Sequence, residues 1–178
     1  LKGVCIENGK YKAPAGWLDP DKWALPPLEK LPLDAFEKII NQKSSIKKYG
    51  SKQVGVTVTK GCPFACPFCV ASRMFGKTER RRPVDTLINF IKENLNKFDV
   101  WVIFASNFTL NRNWVEEFCH KIIKNNIKID WRCTTRASLL DKEIIELMAK
   151  AGCKAVGIGV ETFQKNIQKN INKVLDKN

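Results

Sequence analysis

Lys60-Gly61-Cys62-Pro63-Phe64-Ala65-Cys66-Pro67-Phe68-Cys69 places three cysteines within eight residues, at the spacing Cys-x3-Cys-x2-Cys. An odd set of thiols this close cannot be paired into disulfides of ordinary Cα geometry without leaving one over. The group therefore reads as metal-binding, and thiolates select zinc, copper(I) or iron–sulfur clusters. A structural zinc site usually takes four protein ligands in two separated pairs, and no second Cys-x2-Cys occurs in the chain. Three ligands on a four-iron cluster leave one iron open to a small molecule, which suits catalysis. The residues favour iron–sulfur, with zinc as the alternative.

The flanking sequence sets the architecture. Val54-Gly55-Val56-Thr57-Val58-Thr59 is β-branched and reads as a buried strand, while Gly61, Pro63 and Pro67 oppose helix across the cysteines. The thiols thus sit on a loop at the C-terminal end of a strand, where parallel α/β architectures bind cofactors. Pro83 opens an amphipathic helix to about residue 96, with Leu87, Ile88, Ile91 and Leu95 on one face. Val100-Trp101-Val102-Ile103-Phe104 is a continuous apolar run, the pattern of a strand covered on both faces. A helix over 113–125, a strand over 128–133, a helix over 141–150 ended by Gly152 and a strand over 155–160 follow, then a last helix carrying Ile167, Ile171 and Val174. Strand and helix alternate four times, which predicts an α/β fold of parallel strands joined by right-handed crossovers. About four βα units are too few to close a barrel.

Upstream, Val4-Cys5-Ile6 and Tyr11-Lys12 flank Asn8-Gly9, a hairpin signal. Residues 13–35 carry Pro14, Pro20, Pro26, Pro27 and Pro32 with Trp17 and Trp23, a linker that packs. Residues 34–40 read as a short helical turn. The expected division is residues 1–50 as hairpin, proline-rich linker and short helix following an upstream domain outside this sequence, and residues 51–178 as an incomplete catalytic core.

A chain of 178 residues can bury a substantial core. It contains no run approaching the roughly 18 apolar residues of a membrane helix, so a cytoplasmic protein without a membrane partner is expected. Seven cysteines suit a reducing compartment. Cys5, Cys119, Cys133 and Cys153 fall on apolar-patterned elements and read as core thiols. The net charge of +13 raises nucleic acid as a partner. Lysines are spread along the chain, however, and only Lys77-Thr78-Glu79-Arg80-Arg81-Arg82 is a cluster, which reads as a solvated basic loop. Nucleic acid is therefore not favoured. His120, the single histidine, reads as a helix-surface or packing residue.

Residues 61–69, with an aromatic residue just before the third cysteine, resemble the signature of the radical S-adenosylmethionine (radical SAM) enzymes. Residues 102–111, 131–136 and 151–162 are similar to the cobalamin-dependent branch of that superfamily, and Leu25-Pro26-Pro27-Leu28-Glu29-Lys30-Leu31-Pro32 is similar to its interdomain linker. The resemblance implies a partial (β/α) barrel of six units, of which this chain supplies about four. It implies a 4Fe-4S cluster held by Cys62, Cys66 and Cys69, with S-adenosyl-L-methionine chelating the fourth iron. Cleavage of its sulfonium bond would give methionine and a 5′-deoxyadenosyl radical, which abstracts hydrogen from an unactivated carbon. Cobalamin, bound mainly by the upstream domain, and methyl transfer to a small molecule or peptide follow from the same resemblance, as does an electron donor such as flavodoxin or ferredoxin. Phe68 would lie by the adenine. Ser106 and Asn107 would meet the methionyl amino group, although the family places an acidic residue there. Arg136 would pair with the methionyl carboxylate or with Glu161, and Glu161, ending the fourth strand, would accept from the ribose hydroxyls. The alternatives are a radical SAM methylthiotransferase acting on tRNA or a ribosomal protein, and a zinc-stabilised nucleic-acid module using His120 as fourth ligand.

Overall fold

A computed structural model describes residues 19–30, 32–35, 52–173 and 175. The hairpin at residues 4–12, most of the helical turn at 34–40, Cys5 and Val174 lie outside the described residues. Four parallel strands form the main sheet in the order β1 (Gln53–Thr57), β4 (Val100–Phe104), β5 (Asp130–Thr135) and β6 (Cys153–Ile158). A two-stranded antiparallel ribbon, β2 (Thr59–Lys60) with β3 (Arg80–Arg81), brackets the cysteine loop. Helices α1 (Ala71–Phe75), α2 (Val84–Glu93), α3 (Arg112–Lys124), α4 (Lys142–Lys150) and α5 (Lys165–Asn170) complete the order. Spatial order follows chain order, so each parallel pair is linked by one helical crossover.

The first crossover helix starts behind a proline, and the next two start on side-chain caps. Pro83 precedes α2, the Asn111 side chain accepts from Trp114 N, and the Asp141 side chain accepts from Ile144 N. Leu87, Ile88 and Ile91 of α2, Val115, Phe118 and Ile122 of α3, and Ile144 and Met148 of α4 are buried in one core with Val54, Val56, Trp101, Ile103, Trp131 and Cys133. Those strand residues alternate, so the helices cover one face of the sheet. Phe108, Trp114, Phe118 and Trp131 form the aromatic centre, with Trp114 and Phe118 stacked at 5.5 Å.

The structure corrects four expectations. The apolar run in β4 is covered by helices on one face only among the described residues: Phe104 is exposed and Val102 half-buried, on the side that would face a barrel interior. The third strand runs Asp130–Thr135 and the fourth Cys153–Ile158, each displaced by about two residues from the sequence pattern, and a register shift lies between them at Trp131/Arg132. Cys153 is half-buried, whereas Cys119 and Cys133 are core thiols, with burial pushing Cys119 up to about 12. The basic run at 77–82 is exposed only at Lys77 and Thr78. The Arg81 side chain, 7% exposed, pairs with Glu79 and donates to the carbonyls of Asn107 and Phe108. Arg82, 2% exposed, donates to the carbonyls of Trp23, Ala24 and Thr57. Carbonyls supplied by three distant segments satisfy charges that look destined for water.

Phe118→Ala removes the ring between Trp114 and Trp131; it is expected to lower stability by about 3–5 kcal/mol, read as a drop in the urea midpoint at unchanged slope.

Candidate functional site

The cysteine loop begins where β2 ends, just past the C-terminal end of β1. Gly61 adopts φ 87, the left-handed region, and a Cβ there would run into the Thr78 carbonyl oxygen. Cys62 N donates to the Gly76 carbonyl at 3.1 Å and Cys69 N to the Cys66 carbonyl at 3.1 Å, so the loop is closed at its mouth and tightened at its tip. The short helix α1, which follows the third cysteine, carries no periodic signal long enough to be read from sequence.

Cys62 is buried, and Cys66 and Cys69 are half-buried. Burial pushes the Cys62 thiol up; the Phe64 backbone pulls it down, the charges of Cys69 and Cys66 push it up, and the Arg136 charge pulls it down. Among the described residues no three His, Cys, Asp or Glu side chains converge on a single-ion centre. Three cysteine thiolates on one loop are, by their chemistry, a donor set that an iron–sulfur cluster takes, one thiolate to each iron. His120 lies on the exposed face of α3, outside the loop.

Two donors already address the sulfurs. Asn107 Nδ2 donates to Cys62 Sγ at 3.4 Å, and the Arg136 guanidinium donates to Cys66 Sγ at 3.3 Å while lying 4.0 Å over the Phe64 ring. Hydrogen bonds of this kind orient thiolate ligands and tune the metal they hold. Asn107 is therefore a partner of the loop, a role its sequence position did not reveal. Arg136 does not pair with Glu161; Glu161 binds Lys173 at 2.7 Å. Nor does Glu161 end the fourth strand. It lies three residues beyond Ile158 at φ 61. Phe68 is 55% exposed, with Lys173 Nζ 5.9 Å from its ring, so it does not pack beneath the loop.

Beside the loop, at the C-terminal ends of β4, β5 and β6, is a cavity of about 400 Å³ lined by Ser106, Asn107, Thr134, Arg136, Gly159 and Lys173 among others. Ser106 N is anchored on Thr59 Oγ1 at 3.0 Å, and Thr109 and Thr135 join their hydroxyls at 2.7 Å behind the cavity wall. The Arg136 Nε is buried with no hydrogen-bond partner. A Cβ on Gly159 would meet Lys173 Nζ at 2.6 Å and Glu161 Oε1 at 2.7 Å, so glycine lets the backbone approach that ion pair. The structure thus brings together Ser106, Asn107 and Arg136, with Glu161 joined through Lys173.

The radical SAM superfamily description matches residues 56–177. The chain is 30% identical over 132 residues to the bacteriochlorophyllide d C-12(1)-methyltransferase of Chlorobaculum tepidum, covering 71% of this chain and 28% of that protein. It is 26% identical to an uncharacterized methyltransferase of Pyrococcus horikoshii, over 97% of this chain and 38% of that protein. The chain therefore spans well under half the length of these relatives. The structure of the radical S-adenosylmethionine methyltransferase TsrM from Kitasatospora setae, with cobalamin and a [4Fe-4S] cluster bound, superposes with a TM-score of 0.64 at 16% identity over 72% of this chain and 26% of that one. At that identity the likeness is one of fold.

Gly61→Ala strains a left-handed residue and collides with the Thr78 carbonyl; a loss of about 1–3 kcal/mol is expected, together with lower iron uptake on anaerobic reconstitution. Iron uptake equal to that of the unaltered protein would show that this turn does not shape the loop.

Proposed function

This chain belongs to the radical SAM superfamily, and from that membership we propose that it is the cluster-binding and nucleotide-binding part of an enzyme that reductively cleaves S-adenosylmethionine for cobalamin-dependent methyl transfer to an unactivated carbon. The observation that carries the reading is that Asn107 and Arg136, which line the cavity with Ser106, also donate to the sulfurs of Cys62 and Cys66. The two methyltransferase relatives support the reaction class, the likeness to TsrM supports the fold, and the substrate proposed is a small molecule or peptide.

Cys62, Cys66 and Cys69 would hold three irons of a 4Fe-4S cluster, which when bound would supply the electron for cleavage of the sulfonium bond of S-adenosylmethionine. Asn107 and Arg136 fix two of those sulfurs by donation. The unpartnered Arg136 Nε is a donor for the methionyl carboxylate. Ser106 and the backbone leading to Asn107 border the methionyl amino group, without a carboxylate of their own. Gly157 and Gly159 let the adenosine approach the strand ends closely. Glu161 accepts the ribose hydroxyls once Lys173 shares or releases it, and the exposed ring of Phe68 is free to meet the adenine. The electron comes from a low-potential donor such as a flavodoxin or ferredoxin, and cobalamin is held by a domain outside these residues. For a tRNA substrate the basic run at 77–82 would be the contact, but its Arg81 and Arg82 side chains are engaged by protein carbonyls, which favours the first reading.

The test is incubation of the anaerobically reconstituted whole protein with S-adenosylmethionine and dithionite. Release of 5′-deoxyadenosine and methionine is expected, and Cys66→Ala is expected to lose both iron and product. Full iron content in that variant would mean that the ligands are misassigned.

A further inference from the structure

Arg136 is 7% exposed, and no carboxylate among the described residues pairs with it, since Glu161 is taken by Lys173. A buried cation without a counter-charge is an unfavourable arrangement. What surrounds the guanidinium explains how it is tolerated. One terminal nitrogen donates to Cys66 Sγ at 3.3 Å, the other to the Asn172 carbonyl at 3.3 Å, and the plane rests on the Phe64 ring. Asn172 closes the same circle from the other side. Its Nδ2 donates to the Ala65 carbonyl at 3.2 Å, and its own carbonyl lies 3.9 Å from Cys66 Sγ as acceptor. Asn172 holds φ 51 just past α5, a left-handed conformation that asparagine tolerates better than most residues. Three consecutive residues, Phe64, Ala65 and Cys66, are therefore clasped by Arg136 after β5 and Asn172 after α5. The group within hydrogen-bond reach of Arg136 that can become an anion is the Cys66 thiol.

We propose that Arg136 is a positioning residue for the iron–sulfur centre: it fixes Cys66 on the loop, and its uncompensated charge raises the reduction potential of the cluster that Cys66 holds. The inference rests on the three cysteines being cluster ligands. On reduction one electron passes from the donor, dithionite in a titration, into the cluster, while dithionite is oxidised to sulfite; no bond to the protein forms or breaks. Arg136 then faces one more unit of negative charge, so it favours the reduced state. This effect is separate from the free Nε, which is left for a ligand in the cavity.

The measurement is the midpoint potential, followed by electron paramagnetic resonance during a dithionite titration of the reconstituted whole protein without S-adenosylmethionine. Arg136→Gln is expected to retain iron and to shift the reduction equilibrium at least tenfold toward the oxidised state, 59 mV for one electron. Arg136→Lys, which keeps the charge, is expected to stay within about threefold of the unaltered protein, on the same relation. A potential unchanged in an iron-replete Arg136→Gln overturns the proposal. If Arg136→Gln loses its cluster, Arg136→Lys decides: iron and potential restored support a role for the charge, and loss in both variants overturns it. Failure of the unaltered protein to take up a four-iron cluster would instead refute the ligand assignment on which the inference rests.

Discussion

Because β1, β4, β5 and β6 all run the same way, their C-terminal ends share one edge of the sheet, and the candidate site residues are gathered there. The cysteine loop follows β1, Ser106 and Asn107 follow β4, Arg136 follows β5, and Gly159 and Glu161 follow β6. Residues up to about a hundred positions apart meet because three crossovers return the chain to the same starting side. The helices bury one face of the sheet and hold this edge rigid; the opposite face keeps Phe104 and Ile158 exposed. Loops placed on such a scaffold can carry polar and reactive groups without carrying the stability of the fold.

The loop itself is held by main-chain geometry and by arginines. Gly61 turns under Thr78, and the ribbon of β2 and β3 ties the loop's base. Arg81 joins that ribbon to the carbonyls of Asn107 and Phe108, and Trp114 Nε1 donates to the Arg82 carbonyl at 2.7 Å. The same residues that seat the cysteine loop thus also fix Asn107, whose amide reaches Cys62. Arg136 and Asn172 act at the other end, on Cys66. The three cysteines and the cavity wall are coupled through these few contacts, so a change in one is felt by the other.

Much of this was legible in sequence because the signals are local. The spacing of Cys62, Cys66 and Cys69 is a ligand pattern in itself, and the helices over 84–93, 112–124 and 142–150 announce themselves by apolar periodicity and by Pro83, Asn111 and Asp141 at their starts. What sequence hid depends on distant partners. Arg81 and Arg82 look solvated until Trp23, Ala24, Asn107 and Phe108 bring carbonyls to them. Glu161 looks free until Lys173 arrives from beyond α5. Asn172 gives no signal at all, since its role lies in a left-handed turn against Ala65. The strands β5 and β6 were displaced because their apolar runs extend past the residues that pair.

The central claim is that three thiolates on one loop hold a cluster with an iron open toward the adjoining cavity. Electron paramagnetic resonance of the reduced, reconstituted protein before and after addition of S-adenosylmethionine tests it most directly. A brown protein with about four irons, whose reduced spectrum changes when S-adenosylmethionine is added, is the predicted result. A spectrum indifferent to S-adenosylmethionine, or a colourless protein holding one zinc, would contradict it.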